Sequence, residues 1–81
     1  MHPGQFLETR FLLPMKLSQD ALAAAIGVSR RRINEIVNGR RGITPDTALR
    51  LGLHFRTEPE MWLRMQMAWD MYAARQVLLG S

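Results

Sequence analysis

Ser18 to Gly39 reads SQDALAAAIGVSRRRINEIVNG, and this stretch decides the fold. Ser18 is a good N-cap, because its short hydroxyl side chain can take a free backbone amide of a first helical turn. Leu22 and Ile26 follow at a spacing of four, on one face of a helix about two turns long, and Gly27 supplies the left-handed residue that ends it. Ser29 caps a second helix with Ile33, Ile36 and Val37 facing inward, and Asn38-Gly39 is a strong stop. Ala23 faces the partner helix and must be small for the two axes to approach, while Val28, Ile33 and Ile36 fill the corner between them. Two short helices joined by a tight turn result, with Gln19, Ala23, Gly27, Ile33 and Ile36 in helix-turn-helix register.

Working outward, no β-type alternation of any length appears, and apolar residues recur at three and four, so five helices are expected in an all-α chain. The first runs from about Gly4 to Leu13 with Phe6, Leu7 and Phe11 inward, Pro14 discouraging its continuation, and Met15 to Leu17 forms a link. Arg40 to Ile43 is loop. Thr44-Pro45-Asp46 opens the fourth helix with an N-cap, a proline at the first helical position and an acid in the first turn, and Ala48, Leu51 and Phe55 form its buried stripe. Thr57 and Glu60 fit a capping box that starts a last helix, about 58–76, with Val77 to Ser81 expected to fray. At 81 residues the chain is one small domain, 1–81, with no internal repeat and no long linker.

The charge is not spread evenly. Between Arg30 and Arg41 stand five arginines (Arg30, Arg31, Arg32, Arg40, Arg41) and one anion, Glu35, a net of +4 that equals the charge of the whole chain. A charge serving solubility would be distributed over the surface; this one marks a binding face. With Ile33, Ile36 and Val37 inward, Arg30, Arg31, Asn34, Glu35 and Asn38 occupy the other faces of the third helix, which can enter a major groove. Arg30, Arg31, Asn34 and Glu35 are the expected base contacts, since a guanidinium fork takes guanine O6 and N7 together. Gln19, Ser29, Arg32, Asn38, Arg40 and Arg41 are placed to grip phosphate on either side of the groove. RNA or an acidic protein is the competing partner for such a face, but RNA recognition calls for exposed aromatics that stack on bases, and Arg30 to Arg41 contains none.

Other chemistry is poorly supported. Without cysteine there is no disulfide framework or thiol nucleophile, and His2 and His54 lack metal-ligand spacing, so neither a metal nor a cofactor is expected. His54, near the end of the fourth helix, reads as a cap of that C-terminus. Ser18 and Ser29 read as caps rather than nucleophiles, and Gly39-Arg40-Arg41-Gly42 has neither the Walker lysine nor a preceding strand. No catalytic residue is assigned and the chain is not expected to be an enzyme. The longest apolar runs, such as Phe11-Leu12-Leu13, fall short of the roughly 18 residues a membrane span needs, and Met1-His2-Pro3-Gly4 shows no secretory signal, so a cytoplasmic location is expected.

Four elements carry a family resemblance: His2-Pro3-Gly4, Asn34-Glu35-Ile36 with Asn38-Gly39, Gly42-Ile43-Thr44, and Pro59-Glu60-Met61-Trp62. From about Pro3 to Tyr72 the chain resembles the HigA-type antitoxins, members of the lambda-repressor-like helix-turn-helix group. The resemblance implies a single five-helix domain of that fold, an operator of double-stranded DNA, a HigB-type endoribonuclease toxin as partner, and repression of the antitoxin's own operon as a homodimer. Stand-alone transcriptional regulators share the pattern and are the alternative; a helical interaction module without DNA binding is the third.

The last helix points to a protein partner on its own account. Trp62, Met65, Trp69 and Tyr72 form one apolar stripe and Leu63, Met67, Met71 and Ala74 another nearly opposite, and one face cannot bury both unless the domain wraps around the helix. Leu63, Met67 and Met71 are the expected dimer interface, methionine suiting an adaptable contact.

Overall fold

The computed structural model describes residues 1–80; Ser81, the end of the expected domain and of the segment expected to fray, lies outside the described residues. Among the described residues there are five helices and no strand. The first, α1, is continuous through Pro3–Leu7, a π-helical run Glu8–Leu12, and Leu13–Met15. Then come α2 (Gln19–Ile26), α3 (Arg30–Val37), α4 (Pro45–Phe55) and α5 (Pro59–Leu79).

The local signals act as read. Ser18, Ser29 and Thr44 each cap their helix, accepting hydrogen bonds from the amides of Ala21, Arg32 and Thr47. Gly27 takes φ 75°, and the amides of Gly27 and Val28 both donate to the Ala23 carbonyl, closing the end of α2. Leu22, Ala23, Ile26, Ile33 and Ile36 are buried in the angle between α2 and α3. Around them Leu7, Leu12, Ile43, Ala48, Leu51 and Trp62 complete one core. Phe11 joins its two edges, with ring centroids 4.4 Å from Phe55 and 5.6 Å from Trp62.

Four boundaries differ from expectation. Pro14 lies inside α1, because the preceding turn is widened: the Leu13 amide donates five residues back, to Glu8, so the carbonyls are displaced from where a proline ring would strike them. The helix ends two residues later, at Lys16, in a left-handed conformation of φ 52°. Thr57 makes no capping box. Its hydroxyl accepts from the Trp62 indole at 2.8 Å, and Glu58 stands at the N-cap, where Pro59 has already removed one of the amides a cap would serve. His54 does not close α4: its ring lies edge-on to Phe55 at 4.8 Å, and the backbone amides of Arg56 and Thr57 take the Gly52 carbonyl instead. Finally α5 runs on through Val77 to Leu79 rather than ending near Gln76.

The first helix begins on an unusual joint. His2 caps α1 through Nδ1, which accepts from the Gly4 amide at 2.9 Å, and its ring meets Trp69 edge-on at 5.4 Å. A Cβ on Gly4 would overlap the Ile36 carbonyl oxygen, so backbone rests on backbone where α1 crosses the end of α3. The His2-Pro3-Gly4 motif is therefore the seat on which α3 is set. Among the described residues no helix is long and apolar enough to cross a membrane.

Candidate nucleic-acid interface

The exposed side of α3 is built from chain-local causes. Ile33 and Ile36 are buried, which leaves Arg30, Arg31 and Asn34 lining a shallow polar concavity at the N-terminal half of the helix. Arg31 is 85% exposed and pairs with Glu35, its Nε 3.3 Å from Oε2. Arg30 reaches Asp20 of α2 at 3.2 Å, both side chains about 70% exposed. The Arg30–Asp20 pair, exposed on both sides, is weak and salt-screened, so this guanidinium can exchange its carboxylate for a phosphate or a base edge.

A chain of amides runs beside the arginines. Asn38 donates to Asn34 at 3.2 Å and Asn34 donates to Gln19 at 3.1 Å, so the start of α2 and the end of α3 share one polar surface. Glu35 is placed differently. Its carboxylate is 23% exposed and clasped between Arg31 and Arg41, the latter at 2.8 Å. The hydrogen bond from Arg41, followed by that from Arg31, holds this carboxyl below its ordinary range. Glu35 thus fixes two arginines of the face. Ser29 spends its oxygen on the Arg32 amide as a cap.

Arg32 is drawn away from the open face: its guanidinium pairs with Asp46 at 3.2 Å, and the same Asp46 oxygen receives Arg50 at 3.0 Å. Arg50 also donates to the Ile26 carbonyl at 2.8 Å. Asp46 is accordingly held below the ordinary carboxylate range, chiefly by Arg50 and then by Arg32. Arg40 and Arg41 lie exposed on the bends after α3, beside Asn38. Hydrogen bonds thus join Gln19, Asn34 and Asn38, Glu35 joins Arg31 to Arg41, and Arg30 lines a concavity with Arg31 and Asn34, while Arg40 is exposed on the loop and Arg32 and Ser29 are engaged with Asp46 and the start of α3.

Two participants were not foreseen, Arg50 on α4 and Gln66 on α5, which accepts from the Ile43 amide at 2.8 Å. Neither carries a local signal: each acts on backbone more than twenty residues away. The apolar rows of α5 also separate. Trp62 is buried and Met65 and Trp69 are half-buried, whereas Tyr72, the outer end of that row, is exposed; in the other row Leu63 packs on the core while Met67 and Met71 are 61% and 46% exposed.

The profile of the helix-turn-helix family matches residues 10–62. Virulence-associated protein I of Dichelobacter nodosus is 53% identical over 76 residues, covering 94% of this chain and 70% of that protein. Antitoxin HigA-1 of Vibrio cholerae is 36% identical over 72 residues, covering 89% of this chain and 68% of that protein. Among solved structures, the antitoxin HigA of Pseudomonas aeruginosa, determined with the higBA promoter, superposes with a TM-score of 0.93 at 38% identity, covering 95% of this chain and 84% of that one.

Proposed function

Because the chain belongs to the helix-turn-helix family, among its HigA-type antitoxins, we propose that it binds operator DNA, represses its own operon and neutralises a HigB-type endoribonuclease toxin. One observation carries the DNA-binding part: the whole charge excess of the chain is gathered on and just after α3, whose open face presents Arg30, Arg31 and Asn34. In this reading α3 enters the major groove, with Arg30, Arg31 and Asn34 at base edges and Glu35 orienting Arg31 and Arg41 beside them. Gln19, Asn38, Arg40 and Arg41 contact phosphate, and Ser29 and Arg32 support that contact from the N-terminus of α3.

The toxin and the homodimer rest on kinship and on α5. Beyond Trp69 every described residue of that helix is exposed, and the exposed methionines Met67 and Met71 are surface available to a protein. DNA reading then belongs to α3 and protein contact to α5.

A mobility shift on DNA from the gene's own promoter tests the reading. Arg31→Ala should cost about 1–3 kcal/mol on the specific site and relax base preference there; an unchanged shift would remove α3 from base reading. For the toxin, the test is rescue of growth when the chain is co-expressed with a toxin-sized reading frame beside its gene. Absence of any such frame would leave a stand-alone regulator.

A further inference from the structure

We infer that Gln66 is a positioning residue for DNA binding: from α5 it holds the Gly42–Ile43 backbone and so sets where the Arg40 and Arg41 guanidinium groups stand. The inference rests on the operator-binding reading above. Arg40 to Thr44 has no regular structure, and a charged segment of this kind contributes more to affinity when its backbone is already ordered, because ordering it on binding costs entropy.

The two ends of the segment are ordered by different means. At the first, the amides of Arg40 and Arg41 donate to the Glu35 carbonyl at 2.8 and 3.2 Å, and the Arg41 guanidinium lies on the Glu35 carboxylate. At the second, the Ile43 amide donates to Gln66 Oε1 at 2.8 Å. The carboxamide is itself oriented, since its Nε2 donates to Asp70 Oδ1 at 2.9 Å, one turn further along α5. It lies flat on the loop: a Cβ on Gly42 would stand 3.1 Å from Gln66 Cδ. Ile43 is buried and Thr44 caps α4, so the residues after the hydrogen bond are fixed while Arg40 and Arg41 before it are exposed. Gln66 is thus the point at which α5 reaches the basic loop.

A glutamine is the side chain this joint needs. Its oxygen accepts from Ile43 while its amide donates to Asp70; a glutamate would oppose Asp70, and an asparagine is one methylene short. A purely structural role would lower stability alone, whereas a positioning role must be transmitted through Arg40 and Arg41.

The experiment is a double-mutant cycle on the full chain, with affinity for the chain's own promoter fragment measured by fluorescence anisotropy over a range of salt. Thermal melts confirm that each variant is folded at the assay temperature. Gln66→Ala, and the nearly isosteric Gln66→Met as the variant that keeps the packing, should each weaken binding about tenfold and lower the slope of log affinity against log salt by about one contact. Placed on an Arg40→Ala/Arg41→Ala background, the same changes should weaken binding no further. An unchanged salt slope, or the same loss with and without the two arginines, would overturn the assignment of Gln66 while leaving operator binding intact. Failure of the unaltered chain to bind the promoter would overturn the operator-binding reading, and this inference with it.

Discussion

Gly4 occupies a position where any side chain meets backbone. With the Ile36 carbonyl directly against it, alanine there must push α1 off the end of α3, an overpacking that neither backbone can relieve by a rotamer change. Gly4→Ala should therefore destabilise the domain by about 3 kcal/mol, seen as a fall of about 15 °C in thermal midpoint; a loss of a degree or two would mean that α1 can shift at little cost. His2 makes the same joint sensitive to pH. Burial lowers its pKa from the ordinary 6.5, the N-terminal amine acts in the same direction, and Asp70 opposes them. Glu8 shares the groove beside it, and the free amides of α1 favour a neutral cap. The unfolded chain then takes up a proton that the folded chain resists, so this contribution to stability is complete above pH 6.5 and is lost as pH falls toward the lower folded value. His2→Asn keeps a cap acceptor without the titration, so its midpoint should hold level between pH 7 and 5.5 where that of the unaltered chain declines; parallel declines would clear His2. At lower pH, Glu35 and Asp46 add their own loss: their stabilisation is complete above the ordinary values of 4.5 and 3.8 and disappears as pH falls through the depressed folded ones.

Between elements, the main cross-ties are single long side chains. Arg50 of α4 donates to the Ile26 carbonyl at the end of α2 while its Nε holds Asp46, which in turn holds Arg32 at the start of α3. Arg50→Met keeps the aliphatic stem and removes the donors. It should cost about 1 kcal/mol, or about 5 °C in a domain of this size, with faster amide exchange at the end of α2; an unchanged exchange rate there would show that solvent serves the carbonyl equally well. Arg50 also illustrates what a sequence discloses. Caps at Ser18, Ser29 and Thr44 and the left-handed Gly27 act within a few residues of chain, so their meaning could be read directly and the helices placed. The same local logic failed at Thr57, whose hydroxyl went to an indole five residues on, and at Pro14, where a widened turn removed the clash that should have ended the helix. At the basic face, the arginines and Asn34 were legible because burial of Ile33 and Ile36 forces them outward. The partners of Glu35, Arg32 and Gln66 were not, since a flexible polar side chain takes its partner from whatever the fold brings near, six, fourteen and twenty-three residues away.

The whole molecule is longer than its core requires, at 41 by 22 by 21 Å. A 21-residue α5 spans about 31 Å, and every residue from Asp70 to Gly80 is exposed, Val77, Leu78 and Leu79 among them. A helix with no partner would not keep such apolar residues in water at no cost, and Met67, Met71, Ala74 and Leu78 continue the outward row begun by Leu63. One recognition helix reads only a few base pairs, whereas two related by a dyad read half-sites one helical turn, roughly 34–36 Å, apart. Pairing through this row would give a two-fold its self-complementary patch, and it would turn the second half-site contact into an intramolecular one, raising affinity by about a hundredfold or more without new contacts to DNA. Met67→Glu places a charge in the middle of the row without touching the core, because the side chain it replaces is 61% exposed. Light scattering should then report a monomer, its thermal melt still cooperative, and operator affinity should fall by that same factor while each half-site is bound as before. A Met67→Glu chain that remains dimeric would move the two-fold to another face. An unaltered chain that is monomeric at micromolar concentration and also on DNA would end the two-fold description.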